Sequence, residues 1–428
     1  MRKKINVEAL NSLREELKHP PEKQWQTYNC TLVTPMYGGG VEAGKVDEKM
    51  PIRASSIRGQ LRFWWRIACG YKYENDLFAQ ETAIWGGIGD NGATASQVEI
   101  RVRPFNISPS LRKTVDEFKR QSAIGIKYVL GSINGPSAKL PSILPNVKNI
   151  SFDIDVYSSE EAKPDVEIAL RWWASFGGVG AKTRRGFGAV KIEGIESIPL
   201  ATFDSEQTSK GCKLEFIKKQ QYDTAQEAWE VALKQLYNYR QGLGIGRNYK
   251  MGEDAKGKPI RIPTRTYWPD ADQVRHLTGK NDNKRHMPEF EKNLIFPRAA
   301  FGMPIKFQFP GKNNDPDDMT LQPIDSERMA SPLILRPYLD ENKKWRALAL
   351  LLPSWKKALT QSLTLEPSSE NKTSNSQKLI YQVNHWPDEN QQAERDRLTN
   401  DIDGIKPMIG RSNDPLSAFL DYFKEGNS

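Results

Sequence analysis

From Arg171 to Lys191 the chain reads RWWASFGGVGAKTRRGFGAVK, and this stretch constrains the fold more than any other. A tryptophan-bearing helical run stops at a loop with five glycines, three cations and no acid, and a short apolar strand follows at once. Glycine permits positive φ and lets backbone N–H groups approach a ligand closely, so Gly177, Gly178, Gly180, Gly186 and Gly188 suit a loop that presents donors to phosphate oxygens. Lys182, Arg184 and Arg185 supply the charge. A helix C-terminus also attracts glycine and cations, but one C-cap needs one glycine and this loop has five.

Two familiar phosphate motifs are excluded. A Walker loop needs G-x-x-x-x-G-K-[ST] between a strand and a helix, whereas Ala181 precedes Lys182-Thr183, Phe176 holds the first glycine position, and the order is helix, loop, strand. The run GLGIGR at 242–247 misses the dinucleotide fingerprint because Arg247 stands where the last glycine belongs.

The 428 residues exceed one usual core and point to two domains. A net charge of +9 makes a polyanionic partner plausible. Cys30, Cys69 and Cys212 are far apart and there are only four histidines, so neither a disulfide framework nor a zinc cluster is indicated, and no metal or cofactor is expected. The first residues, MRKKINVEALNSLREELK, lack the apolar run of a signal peptide, and no stretch approaches a membrane span. The expectation is a soluble, cytoplasmic chain with no membrane partner.

Hydrophobic periodicity supplies the elements. Leu10, Leu13 and Leu17 suggest a short N-terminal helix. Strands are expected at 28–34, 97–103, 150–157 and 189–193. A helix capped by Ser55 or Ser56 should run to Cys69, with Ile57, Leu61, Trp64, Trp65 and Ala68 on its core face and Arg58, Arg62 and Arg66 as a stripe beside it. No acid lies between Pro51 and Gly70, so the stripe suits phosphate, or a solvated face with distant acidic partners. Pro164 opens the second helix. The order strand, helix, strand, strand, helix, strand reads as a split βαβ unit, with one sheet face under the helices and the other open for binding. The fold class expected is α+β: two tandem ferredoxin-like, RRM-like (βαββαβ) domains with insertions. The first occupies 1–200 with an insertion at 104–149; the second, 201–428, has strands near 213–217, 304–309, 332–336 and 346–352 and a helix over 223–240. It also has a basic loop over 242–265, a polar loop over 358–378, and a last helix opening at Asp414-Pro415 whose apolar face must dock on something.

These residues resemble the RAMP superfamily, the ferredoxin-fold RNA-binding subunits of CRISPR effector complexes. The features are TLVTPMYGGG at 31–40, PIRASSIRGQLRFWWR at 51–66 and GGVGAKTRRGFGAV at 177–190, the last similar to the superfamily's glycine-rich loop. RFWWR and RMASPLILRP at 328–337 are similar to subunit-one proteins of type III-B Cmr complexes. The resemblance implies a non-catalytic subunit that binds the 3′ part of guide (CRISPR) RNA and single-stranded target RNA beside other Cmr-type RAMP subunits. It places RNA contacts at Gly38, Gly39, Gly40, Gly178, Gly180, Lys182, Arg184, Arg185 and Gly186, and at Arg53, Arg58 and Arg62. Gly404 to Arg411 is the nearest approach to a second glycine loop in the other half.

A subunit that serves many guides must read backbone and stack on bases, and Tyr37 and Phe187 are the aromatics placed to stack, with core packing the alternative for Phe187. Two other functions remain. A metal-independent ribonuclease would need a base such as His276 or His286, set among Arg275, Lys284 and Arg285. The pairs Asp153/Asp155 and Asp401/Asp403 lack a nearby histidine for a metal site. A protein-only scaffold would need no RNA contacts. Changing Arg184 and Arg185 together to Ala is expected to weaken RNA binding alike for unrelated sequences and to leave folding intact.

Overall fold

Alternating side chains build the first sheet. β1 (Gln26–Leu32) buries Tyr28, Cys30 and Leu32, and β3 (Ser151–Ser158) buries Phe152, Ile154 and Val156 opposite them, Cys30 facing Phe152 across an antiparallel pair. β2 (Val98–Val102) lies outside β3 and β4 (Val190–Ile192) outside β1, giving the spatial order β2-β3-β1-β4, antiparallel throughout. The computed structural model describes residues 23–73, 75–89, 92–103, 107–145, 150–199, 211–218, 220–280, 295–309, 315–368, 380–400 and 404–426. The expected N-terminal helix, His286, Asp401 and Asp403 lie outside the described residues. No helix among the described residues is long and apolar enough to cross a membrane.

Two helices cover the buried face. α1 (Ala54–Ala68) starts a residue ahead of the expected serine caps, with the extended Arg53 as N-cap and no side-chain cap. It stops at Cys69-Gly70 as expected. α3 (Lys163–Phe176) opens with Pro164 in its first turn. Trp64, Trp65, Trp172 and Trp173 are buried, with Trp64 and Trp172 centroids 6.1 Å apart, and Trp65 donates its indole N–H to Asp165 at 2.8 Å. At about 25 cal/mol per Å² and some 150–250 Å² per ring, four such rings contribute on the order of 15–25 kcal/mol of burial. Between α1 and β2 the chain adds α2 (Leu77–Trp85), which is not among the expected elements.

The second half departs further from expectation. β5 (Lys213–Phe216), α4 (Ala225–Gln241), β8 (Leu333–Leu339) and β9 (Trp345–Leu351) form a sheet of order β8-β9-β5 backed by α4. Thr224 and Glu227 close a capping box at the start of α4. This sheet has three strands, and no fourth pairs with it among the described residues. A separate small sheet is built from strands 305–307, 319–323, 363–367 and 381–383. Its third strand corrects the polar loop expected over 358–378: Leu363 and Leu365 alternate into a core that the polar composition around them hid. The expected basic loop is a two-stranded ribbon, β6 (Arg247–Glu253) and β7 (Pro259–Thr266). The last helix, α5 (Pro415–Glu425), docks on this chain's own α4, Phe419 and Tyr422 lying 5.3 and 5.2 Å from Tyr239.

The halves share walls. In β8 and β9, Ile334, Tyr338, Leu348 and Leu350 join the core under α1 and α3, while Leu333, Leu335, Ala347, Ala349 and Leu351 join the core under α4. Burial on both faces explains why LILRPYL reads as a run and not as an alternation. Residues of the expected insertion also enter the second core: Val115, Ile126, Leu130 and Ile143 pack with Trp229 and Leu233. A Cβ added to Gly125 would lie 2.5 Å from the Leu233 carbonyl carbon, so that glycine is set by close packing.

Candidate nucleic-acid interface

The two glycine loops meet backbone to backbone. Ala181 donates to the Tyr37 carbonyl at 2.7 Å, and a Cβ added to Gly39 would lie 3.1 Å from the Gly180 Cα. Gly39 and Gly180 have φ of +98° and +80°, a region open to glycine, and a side chain at Gly180 would press within 2.6 Å of the Tyr37 oxygen. Gly38 and Gly40 donate within the fold, to Ser142 at 2.7 Å and Lys45 at 2.9 Å. The amides of Gly39 and Gly180 have no partner among the described residues. Gly178 packs against Gly188, and Gly186 against Trp229 of α4, where a Cβ would meet the indole Cδ1 at 2.6 Å. Chain-to-chain contact therefore explains most of these glycines without a ligand.

The three loop cations reach across to the second half or to the insertion. Arg185 donates to the Leu333 carbonyl at 2.6 Å and the Phe301 carbonyl at 3.1 Å, Arg184 donates to the Ser331 carbonyl, and Lys182 donates to the Val129 carbonyl at 3.2 Å. None has a carboxylate partner among the described residues. Burial lowers all three pKa values. It carries Arg185 down to about 10 with help from the neighbouring Arg240 charge, and Arg185 and Lys119 add their repulsion at Lys182. A cation cluster held by main-chain dipoles and lacking an acid gains from an incoming anion. Lys182 to Arg185 form one side of an open cleft of about 420 Å³, and Gly302 to Pro304 and Met329 to Ser331 form the other. The same bonds overturn the expectation that the Arg184/Arg185 double change leaves folding intact, because those side chains also tie the halves together.

The arginine stripe has a buried acidic partner outside its own helix. Glu81 of α2 is 1% exposed and accepts from Arg62 at 2.7 Å and Arg66 at 2.5 Å. Arg58 donates one amino group to the Trp85 carbonyl. Arg53 is half-buried at the head of α1. Glu81 sits 19 residues beyond Arg62 and 15 beyond Arg66, in an element not anticipated.

Of the aromatics, Phe187 is fully buried, its ring edge-on to Trp229 at 4.9 Å, which takes it out of reach of a base. Tyr37 is half-buried, 6.3 Å from Phe187. The open face of the first sheet is a ladder of its own polar pairs: Thr27 with Asp155 at 2.7 Å, Asn29 with Asp153 at 3.0 Å, and Arg103 with Asp155 at 2.8 Å. Arg103 holds the Asp155 carboxyl below its usual range. His276 is exposed in the last turn of an α-helix over 270–278, and its neighbour Arg275 is committed to Asp272 and Asp315. The β6–β7 ribbon carries Arg247, Lys250, Lys256, Lys258, Arg261 and Arg265, with Met251 61% exposed beside Arg261, which lies 4.7 Å from the Tyr249 ring.

β1, both glycine loops, α1, α3 and β4 lie almost wholly within one comparison. Residues 29–191 match the RAMP superfamily. A 163-residue stretch is also 29% identical to the CRISPR system Cmr subunit Cmr1-1 of Pyrococcus furiosus, covering 35% of this chain and 45% of that protein. The chain thus matches under half the length of that curated relative. The RAMP-matched span takes in Gly38 to Gly40, the α1 arginines and the loop from Gly177 to Gly188. The second sheet, the ribbon and the small four-stranded sheet lie beyond it.

Proposed function

We propose that this chain is a non-catalytic RNA-binding subunit of a type III-B CRISPR effector complex. In this reading it holds the 3′ part of guide RNA, single-stranded target RNA, or both, beside other Cmr-type RAMP subunits and without a cofactor. The observation that carries the reading is the cluster of Lys182, Arg184 and Arg185. It lies in the RAMP-matched span, has no carboxylate partner among the described residues, and borders an open cleft. The strand order β4-β1-β3-β2 with two helices on one face supports a ferredoxin-like first unit. The second unit is read as a relative of that plan: β8-β9-β5 repeat the order of the first sheet's second, third and first strands, and α5 lies beside the β5 edge where a fourth strand would pair, Lys218 donating to the Lys424 carbonyl at 3.1 Å. Cations and backbone amides grip phosphates whatever the base sequence, as a subunit for many guides requires.

The test is anisotropy of a labelled single-stranded RNA titrated with the purified chain over a salt series, each endpoint run on a denaturing gel. The expected result is intact RNA and a log Kd that rises with log salt, by about 0.7 per phosphate contact. RNA cleavage abolished by a His276 or His286 substitution would replace this reading with a ribonuclease. Absence of RNA binding, alone and with partner subunits, would replace it with a scaffold.

A further inference from the structure

Outside the glycine loops, a cavity of about 650 Å³ opens between the start of α1 and β2, lined among others by Trp25, Ser55, Arg58, Gly59, Arg62 and Arg101. β2 ends its sheet, so residues from Ser96 to Arg101 form one wall of the cavity along an unpaired strand edge. The lining is basic. Glu99, the carboxylate on this wall, is ion-paired with Lys23. Arg58 uses one amino group on the Trp85 carbonyl and Arg62 uses two nitrogens on Glu81, which leaves each with further N–H groups. Arg101 is exposed and its guanidinium donates no hydrogen bond among the described residues. Its guanidinium carbon lies 4.0 Å from the centre of the Trp25 ring. Trp25 in turn lies 5.9 Å from Tyr157, and Lys23 stands 5.1 Å over that ring, so cations and aromatic faces alternate along the rim.

Gly59 gives the cavity its shape. It sits inside a 15-residue helix, where glycine costs about 1 kcal/mol against alanine, yet no atom lies within 4 Å of where its Cβ would be. No packing contact among the described residues requires it. Bare helix backbone between two arginines and opposite a tryptophan leaves a slot for a flat group with an anion attached.

We infer that this cavity is a nucleotide seat on the RNA path, with phosphate at Arg58 and Arg62 and a base lying between the Gly59 surface and the Trp25–Arg101 pair. The inference rests on the RNA-binding reading above and extends that path from the junction of the halves to the edge of the first sheet. An acidic peptide would satisfy the cations but would leave the slot at Gly59 and the aromatic wall without a purpose.

The test uses the full chain with two labelled probes, a 15-nucleotide single-stranded RNA and an abasic oligonucleotide of the same length. Base stacking on an aromatic predicts that Trp25→Ala weakens RNA binding by about 5- to 150-fold and leaves abasic binding unchanged. Arg58→Gln should weaken both probes. Gly59→Leu should raise the thermal midpoint, since leucine is the better helix former, and still weaken RNA. RNA bearing 4-thiouridine should cross-link to the peptide that contains Trp25. Wild-type RNA affinity in all three variants, with cross-links elsewhere, would overturn the seat and leave RNA binding standing. Equal losses for both probes in Trp25→Ala would show a structural effect and also overturn it. Competition by polyglutamate and not by polyuridylate would make the cavity a peptide site. A wild-type chain that binds no RNA would remove the seat and the RNA reading together.

Discussion

Arg336 is the place to perturb the junction of the halves. It is 2% exposed, faces no carboxylate among the described residues, and spreads its guanidinium over three main-chain carbonyls: Gly177 at 2.8 Å, Pro337 at 3.0 Å and Val190 at 3.3 Å. Burial drives its pKa down to about 9. Hydrogen bonds from a charged donor contribute roughly 1.5–3 kcal/mol each, so the two shorter ones amount to about 3–6 kcal/mol. Replacing the ion with a neutral chain of similar length recovers part of this as relieved desolvation, several kcal/mol at most. The Gly177 carbonyl is then left without this donor, at roughly 1–3 kcal/mol. Arg336→Met should therefore destabilise by about 2–4 kcal/mol. Arg336→Lys keeps the buried charge and loses the planar fork, so it should fall further. Urea unfolding followed by tryptophan fluorescence reads both as lowered midpoints with an unchanged slope. A lysine variant at least as stable as the methionine variant, or a methionine variant within about 0.5 kcal/mol of wild type, would refute the carbonyl-clamp reasoning.

Two further substitutions probe a buried base and a buried acid. His385 is 1% exposed, neither ring nitrogen has a hydrogen-bond partner among the described residues, and burial lowers its pKa to about 4. Against an unfolded value near 6.5, the unfolded state takes up the proton first, so this contribution to stability is intact above about pH 6.5 and declines towards pH 4, by about 3 kcal/mol in all. Wild type should lose that much more than His385→Gln over the interval in matched urea titrations; parallel pH profiles would dismiss the assignment. Glu81→Gln should release Arg62 and Arg66 from their shared carboxylate, at some expense of stability. Arg62 is already placed on phosphate, so if the freed Arg66 also meets one, the salt slope of RNA binding steepens by about 0.7, and an unchanged slope would keep Arg66 off the RNA path.

What was legible in the sequence was local. β1, β3, α1 and α3 follow from periods of two and of about three and a half, and the tryptophan faces were read as core because they repeat at helical spacing. The capping Asp414 before Pro415 marks α5 just as plainly, its carboxylate accepting from Leu416 and Ser417. What was not legible depended on distance along the chain. The carbonyls that hold Arg184 and Arg185 lie 116 to 148 residues away, and no spacing rule announces them. The ribbon was missed because Tyr249, Met251, Ile260 and Ile262 are scattered among cations and glycines, so its alternation is faint. The absence of a fourth strand from the second sheet among the described residues could not be read either, since the β5 edge where it would pair is met by α5, whose Lys424 ion-pairs with Glu215.

The strand from Leu333 to Leu339 is read twice, its odd positions by one core and its even positions by the other. Side chains in a strand change face at every step, so each apolar position tolerates a like-sized apolar exchange while the count of residues does not tolerate change. Deleting one residue there would send the remaining side chains to the opposite core and withdraw the guanidinium of Arg336 from the Gly177 carbonyl. The segment therefore works as a reading frame in three dimensions: substitutions alter single words, and an insertion or deletion garbles both halves at once.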